Sequence, residues 1–191
     1  MYVEKNIFDN IFNTIMDVKG KTKDNAKARA DLPLYCKRFD LELTEINGKV
    51  FKPPATYALS KEKLKIVCEW IKKLKFPDGY VSYIARCVYL QDQCIYGMKS
   101  HDCHVFMQRL LPIAFRELLP YDVWSAITEI SFFFRNICAH TISEVDMKNL
   151  EKSIVITLCK LEKIFPPAFF NCMEHLPIHL VYEARVAGPV Q

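Results

Sequence analysis

The feature that most limits the fold is a succession of apolar stripes at helical spacing, punctuated by prolines. After Tyr57 the stripes run Leu64, Val67, Cys68, Ile71, Leu74, and later Val123, Ile127, Ile130, Phe134, Ile137. A third runs Met147, Leu150, Ile154, Leu158, Leu161, Phe165. Residues three and four apart lie on one face of a helix, so each stripe predicts an amphipathic helix with one buried side. Ser60 is placed to cap the first of these helices, and Pro77-Asp78-Gly79 ends it. Val81, Ile84, Ala85 and Val88 predict a shorter helix next. A helix opening at Ser100 follows, bent or split at Pro112, which has no N–H to donate. Pro120 suits the first turn of the fourth, and Ser143 with Asp146 forms a short-armed capping box for the fifth. Pro166-Pro167 stops that helix and starts a last one, from Ala168 to about Ala184. The expected architecture is all-α, a compact multi-helix domain over roughly residues 58–185.

Two segments precede it. Ile7/Phe8, Ile11/Phe12 and Ile15/Met16 predict an N-terminal helix of about three turns. That helix runs into a basic connector, Lys19 to Arg29, to give a unit over residues 1–30. Residues 31–57 have no sustained period and are punctuated by Pro33, Asn47-Gly48 and Pro53-Pro54, which predicts an irregular linker. The third unit, 58–191, is the helical domain.

Composition narrows the classes of function. The 191 residues are 51% apolar and 25% charged, as in ordinary globular chains and unlike disordered ones. No run approaches the roughly 18 apolar residues of a membrane-spanning helix, and the N-terminus lacks the pattern of a signal peptide. Eight cysteines stand scattered with no C-x-x-C pair, which predicts reduced thiols in a nuclear or cytosolic protein. Gly20-Lys21-Thr22 resembles the end of a phosphate loop, but the first glycine of that motif would fall on Ile15. The excess positive charge lies in residues 1–110, whereas residues 111–191 carry seven basic and nine acidic side chains. Such an asymmetry permits an anionic partner without requiring one.

Three constellations could carry chemistry. His175 and His179, four apart, would share a helix face and could hold one metal ion, with Glu183 continuing the stripe as a third ligand or a supporting carboxylate. Two packed surface histidines are the alternative, and Pro177 between them distorts the turn. His101-Asp102-Cys103-His104 admits a thiol nucleophile at a helix N-terminus, against a reading of capping and packing. Lys19, Lys21, Lys23, Lys27 and Arg29 could contact nucleic-acid phosphates, against a solvated connector. No Ser-His-Asp set, nucleotide fingerprint or paired carboxylate is present.

Several long strings carry a family resemblance. FDNIFNTIMDVKGKTKDNAKARADL resembles the C-terminal end of the transposase core of plant CACTA (En/Spm-like) elements. YALSKEKLKIVCEWIKKLKFPDGY, GMKSHDCHVFMQRLLPIAFRELLP and LEKSIVITLCKLEKIFPPAFFNCMEHLPIHLVYEARVAGPV look like the domain of unknown function that follows this core. The resemblance spans essentially the whole chain in the same order.

It implies a cut-and-paste DNA transposase whose ribonuclease-H-like core uses an acidic triad and divalent metal ions. It also implies a structural zinc held by an upstream cysteine pair and a downstream histidine pair, to which His175 and His179 correspond. By the same resemblance the cysteines and two of the acids are expected upstream of Met1. The third acid is expected beyond Gly188-Pro189-Val190, with Glu183 as the competing catalytic candidate. The chain is therefore expected to be a non-catalytic C-terminal fragment or relic, with accessory DNA or partner binding at most. The alternative is a part of an active transposase that needs the missing core. No cofactor is expected in this chain; zinc and divalent metal belong to full-length relatives. The partners left open are DNA, the remainder of a transposase and a second copy of the chain, with no membrane, and the resemblance implies a nuclear location (otherwise cytoplasmic). An unrelated thiol or metal hydrolase built on His101 to His104 is the third reading.

Overall fold

The computed structural model describes residues 2–188 except Asp78 and Ser82. Its order is α1 (Tyr2–Ile15), α2 (Ala26–Ala30), α3 (Leu32–Tyr35), hairpin β1 (Thr44–Ile46) and β2 (Lys49–Phe51), and α4 (Lys61–Lys73). Then come hairpin β3 (Val88–Tyr89) and β4 (Cys94–Ile95), α5 (Ser100–Val105), α6 (Leu111–Ala114), α7 (Tyr121–Ile137), α8 (Glu144–Ile164), α9 (Cys172–His175) and α10 (Pro177–Ala187). The chain is mostly α, as the stripes predict, with two small antiparallel hairpins. None of the described helices is long and apolar enough to cross a membrane.

The N-terminal helix is packed into the same core as the later helices. Ile7, Phe8, Ile11, Phe12 and Ile15 are buried, and Phe12 meets Phe106 edge-on at 5.3 Å and Phe115 at 6.4 Å. The Leu59 N–H bonds the Ile15 carbonyl at 2.9 Å and so ties the end of α1 to the start of α4. Ser60 caps α4, whose Val67, Cys68 and Ile71 are buried as the stripe predicts. The segment 31–57 is anchored by buried Leu32, Leu41, Ala55 and Tyr57, while every residue of its hairpin is exposed. Asn47 and Gly48 turn that hairpin with φ of 54° and 72°, the left-handed pair that a two-residue turn requires.

Three expected helices differ. In place of the helix expected from Val81 to Val88, Ile84–Cys87 form a single 3-10 turn leading into β3, which pairs Val88 with Ile95 and Tyr89 with Cys94. Four apolar positions are too few to hold a helix, and the turn plus strand buries Ile84, Ala85 and Val88 equally well. The helix expected from Ser100 uses Lys99 as its cap, with the Asp102 carboxylate accepting the Lys99 N–H at 3.1 Å. It then widens to a π-helical turn over Phe106–Leu110 before Pro112. There the Leu111 N–H bonds Phe106 rather than Met107, and the freed Met107 carbonyl accepts Ser131 Oγ at 2.6 Å. The last helix is divided into α9 and α10. Asn171 prefers to cap, accepting the Met173 N–H at 2.7 Å, and Pro177 cannot continue the ladder of α9.

α7 and α8 pack along each other and α10 packs on α8. Glu129 crosses the first of these interfaces, accepting Thr157 Oγ1 at 3.1 Å and Lys160 Nζ at 2.6 Å. The C-terminal elements also reach α1, through a hydrogen bond from Asn10 Nδ2 to buried Glu174.

Candidate functional site

His175 closes α9 and His179 stands one turn on, in α10. Both are exposed, and their Nε2 atoms are 3.0 Å apart with ring centroids at 4.9 Å. At that distance one ring donates a proton to the other. Two nitrogens bound to one tetrahedral zinc stand about 3.4 Å apart, given Zn–N near 2.1 Å, so the pair fits half of such a site. The other half does not form: among the described residues no three His, Cys, Asp or Glu side chains come together as a metal site. Glu183 is exposed on α10 and joins no such group. The terminal string Pro189-Val190 and Gln191 lie outside the described residues.

The geometry favours capping and packing over a Cys–His pair. Cys103 is buried, and burial first, with the Asp9 charge adding to it, pushes its thiol up to about 12. Burial of this kind favours the neutral thiol over the thiolate. His104 turns away from it and places Nδ1 2.6 Å from Glu4 Oε2. His101 bonds the Tyr80 carbonyl at 2.9 Å through Nε2. The two imidazoles do share a face, with ring centroids at 6.3 Å.

The basic connector is a folded segment. Lys19, Lys21 and Lys27 are exposed and Lys23 is half-buried, so four of the five predicted contacts lie at the surface. Lys21 Nζ lies 5.5 Å over the Tyr96 ring. Arg29 is the correction, being 1% exposed. Its Nε and Nη2 hold both oxygens of buried Asp24 at 2.6 and 2.7 Å, and Nη1 donates to the Leu41 and Pro53 carbonyls. The planar guanidinium fork matches both carboxylate oxygens of Asp24, five residues earlier, and that pairing offsets the burial of its charge. Burial raises the Asp24 pKa, but the Arg29 hydrogen bonds and the Lys52 charge outweigh it and hold the carboxyl below its ordinary value.

The sequence pattern did not show a polar cluster inside the helical core. Glu4 is 2% exposed, accepting Gln108 Nε2 at 3.0 Å and facing His104 on its other oxygen. Gln108 also donates to the Phe134 carbonyl at 3.2 Å. It lies in the π-helical turn, which aims it inward. Burial is the larger influence on Glu4 and raises its pKa, with the His104 and Gln108 hydrogen bonds offsetting only part. The only signal in the chain was an acid on an apolar helix face, one turn before the first stripe pair, Ile7/Phe8. The cluster joins α1, α5 and α7 around one carboxylate–imidazole pair, Glu4 and His104.

Residues 137–191, comprising the end of α7 and all of α8, α9 and α10, match the model of a domain of unknown function (DUF4218). That family is found in plant transposase-like proteins. No curated protein and no solved structure gives a significant match to the chain.

Proposed function

We propose that this chain is the C-terminal helical portion of a plant CACTA-type (En/Spm-like) transposase and acts as a non-catalytic accessory module in the nucleus, contacting DNA. The match of residues 137–191 to DUF4218 carries this reading, and the strings before residue 137 extend the resemblance toward the transposase core. The surface lysines of the connector supply its chemistry. Lys19, Lys21, Lys23 and Lys27 sit on a segment braced by the buried Asp24–Arg29 pair and by Asn25, whose side chain caps α2. Clustered ammonium groups attract phosphate backbones through release of condensed counterions, without reading sequence. Strand cleavage is assigned by the resemblance to the acidic core, so the module's own contribution is attachment. The test is duplex-DNA binding by the full chain across a salt series. Replacing Lys19, Lys21, Lys23 and Lys27 by Gln should weaken binding and flatten its salt dependence, and unchanged binding would remove the connector from the interface.

A second reading, in which the module works only when joined to its catalytic core, is favoured by one surface. Leu34, Tyr35 and Phe39 are each more than 70% exposed, and Tyr35 borders an apolar hollow of about 560 Å³ against Phe165 and Phe170. Large apolar groups left in water at this density suit a covering domain. Co-purification of the module with a separately expressed core, lost on Tyr35→Ser and Phe39→Ser, would support this second reading. Lack of association would end it.

A further inference from the structure

A groove of about 840 Å³ opens at the C-terminal end of α4. Lys72, Lys73, Lys75 and Arg86 line it together with Phe76 and Tyr83, and no carboxylate lines it among the described residues. Two of these lysines are expected at this place in any helix, because the last turn of a helix favours cations. Lys72 is also spent on the fold, donating to the Ala85 and Val88 carbonyls at 2.9 and 3.1 Å and so holding one wall in place. Helix capping accounts for neither Lys75, beyond the helix, nor Arg86, from the opposite wall. Both walls therefore present positive charge to one space.

The aromatic groups decide what kind of anion suits it. Tyr83 is 59% exposed with the Arg86 guanidinium 5.3 Å over its ring, and Phe76 stacks on Tyr80 at 6.2 Å and 21°. A free phosphate gains nothing from an exposed ring. A duplex keeps its bases stacked on one another and offers only its backbone. An unpaired strand offers phosphates to the cations and base faces to the rings, which is the combination that single-strand binding surfaces use. We propose that the groove between the end of α4 and the Ile84–Cys87 turn binds single-stranded nucleic acid, with Lys73, Lys75 and Arg86 on the backbone and Tyr83 under a base. The inference stands on this groove and is independent of the family reading and of the connector lysines.

The test uses the full chain and a fluorescein-labelled oligothymidylate, with a duplex of the same length beside it, followed by anisotropy across a salt series. The single strand should bind more tightly than the duplex. Lys73→Gln/Lys75→Gln/Arg86→Gln should weaken it by about tenfold or more and reduce the salt slope. Tyr83→Ala should weaken it by about fivefold or more with the slope retained, because stacking releases no counterions. All these positions are exposed, and unchanged thermal melting would confirm intact folding. Should any variant melt early, Tyr83→Trp keeps the charges in place, and quenching of its added emission by oligothymidylate reads stacking directly. Unchanged affinity in the triple variant, an equal loss of duplex binding in that variant, or displacement by inorganic phosphate with Tyr83→Ala silent would each overturn the proposal. Loss of duplex binding in the connector variant with single-strand binding retained would touch only the connector.

Discussion

Arg29 and Asp24 face each other in a two-point ion pair from which water is excluded, with Nε to Oδ1 at 2.6 Å and Nη2 to Oδ2 at 2.7 Å. Five residues apart in sequence, they close the connector on itself. The third guanidinium nitrogen reaches the Leu41 and Pro53 carbonyls, so a single side chain holds α2 and the segment 31–57 together.

Removing Asp24 strands a buried guanidinium, and removing Arg29 leaves the Asp24 carboxylate with only the more distant Lys52. Arg29→Ala is expected to cost about 3 kcal/mol in urea unfolding, because the buried carboxylate keeps only the longer contact with Lys52 Nζ at 3.6 Å. Lys cannot reproduce the planar two-point contact, so Arg29→Lys should recover only part of the loss. The pH dependence follows from the lowered pKa of Asp24. Its contribution is fully present above the ordinary carboxyl value of 3.8 and disappears as pH falls through the lower folded value. Asp24→Asn should therefore lose most of its deficit relative to wild type in strong acid. A deficit that does not change with pH would contradict the assignment.

Glu4 has the opposite sign. Its pKa is raised in the fold, so the protein favours the protonated acid, and that stabilisation is complete below 4.5 and fades as pH rises through the folded value. Gln carries the same acceptor without the charge. Glu4→Gln should match or exceed wild-type stability at neutral pH and lose that advantage in acid. Glu4→Ala, which leaves Gln108 and His104 facing a void, should lose about 1–3 kcal/mol. Melting curves of the three proteins across pH separate these outcomes, and Glu4→Gln falling below Glu4→Ala at neutrality would refute the reading.

The histidine pair sets an expectation for metal. With two nitrogens 3.0 Å apart and no third ligand grouped with them among the described residues, zinc should bind weakly and below one ion per chain. Elemental analysis after dialysis would measure it. One tightly held zinc that is lost in His175→Ala/His179→Ala would show that other residues complete the site.

The helical stripes were legible because burying one face of an amphipathic helix is a local demand. Val67, Cys68 and Ile71 in α4, and Val123, Ile127, Ile130, Phe134 and Ile137 in α7, are buried where the 3.6-residue period puts them. Residues 81–88 misled because the same apolar spacing suits one turn followed by a short strand. The interruption at His175–Pro177 was half visible: Pro177 announced a break, but the Asn171 cap that starts α9 separately depends on where Pro166-Pro167 sends the chain. Of the site residues, the connector lysines could be read as a group, yet their fifth member was not separable from them. Arg29 carries a planar fork that the lysines lack, but only folding shows that Asp24 fills it.

Period and punctuation are written along the chain, since each helix needs only its own residues to define a buried face and an end. The pairing of residues far apart is another matter. Glu4 meets His104 across α1 and α5, Gln108 is turned toward them by a widened helical turn, and Lys75 and Arg86 share a groove because Lys72 clamps one wall to the other. Each of these depends on which surfaces the collapsing helices bury against one another, and so on the sum of many distant contacts. Charge composition alone could say that the first 110 residues are basic. Which of those charges face water, and which are neutralised inside, was settled by packing.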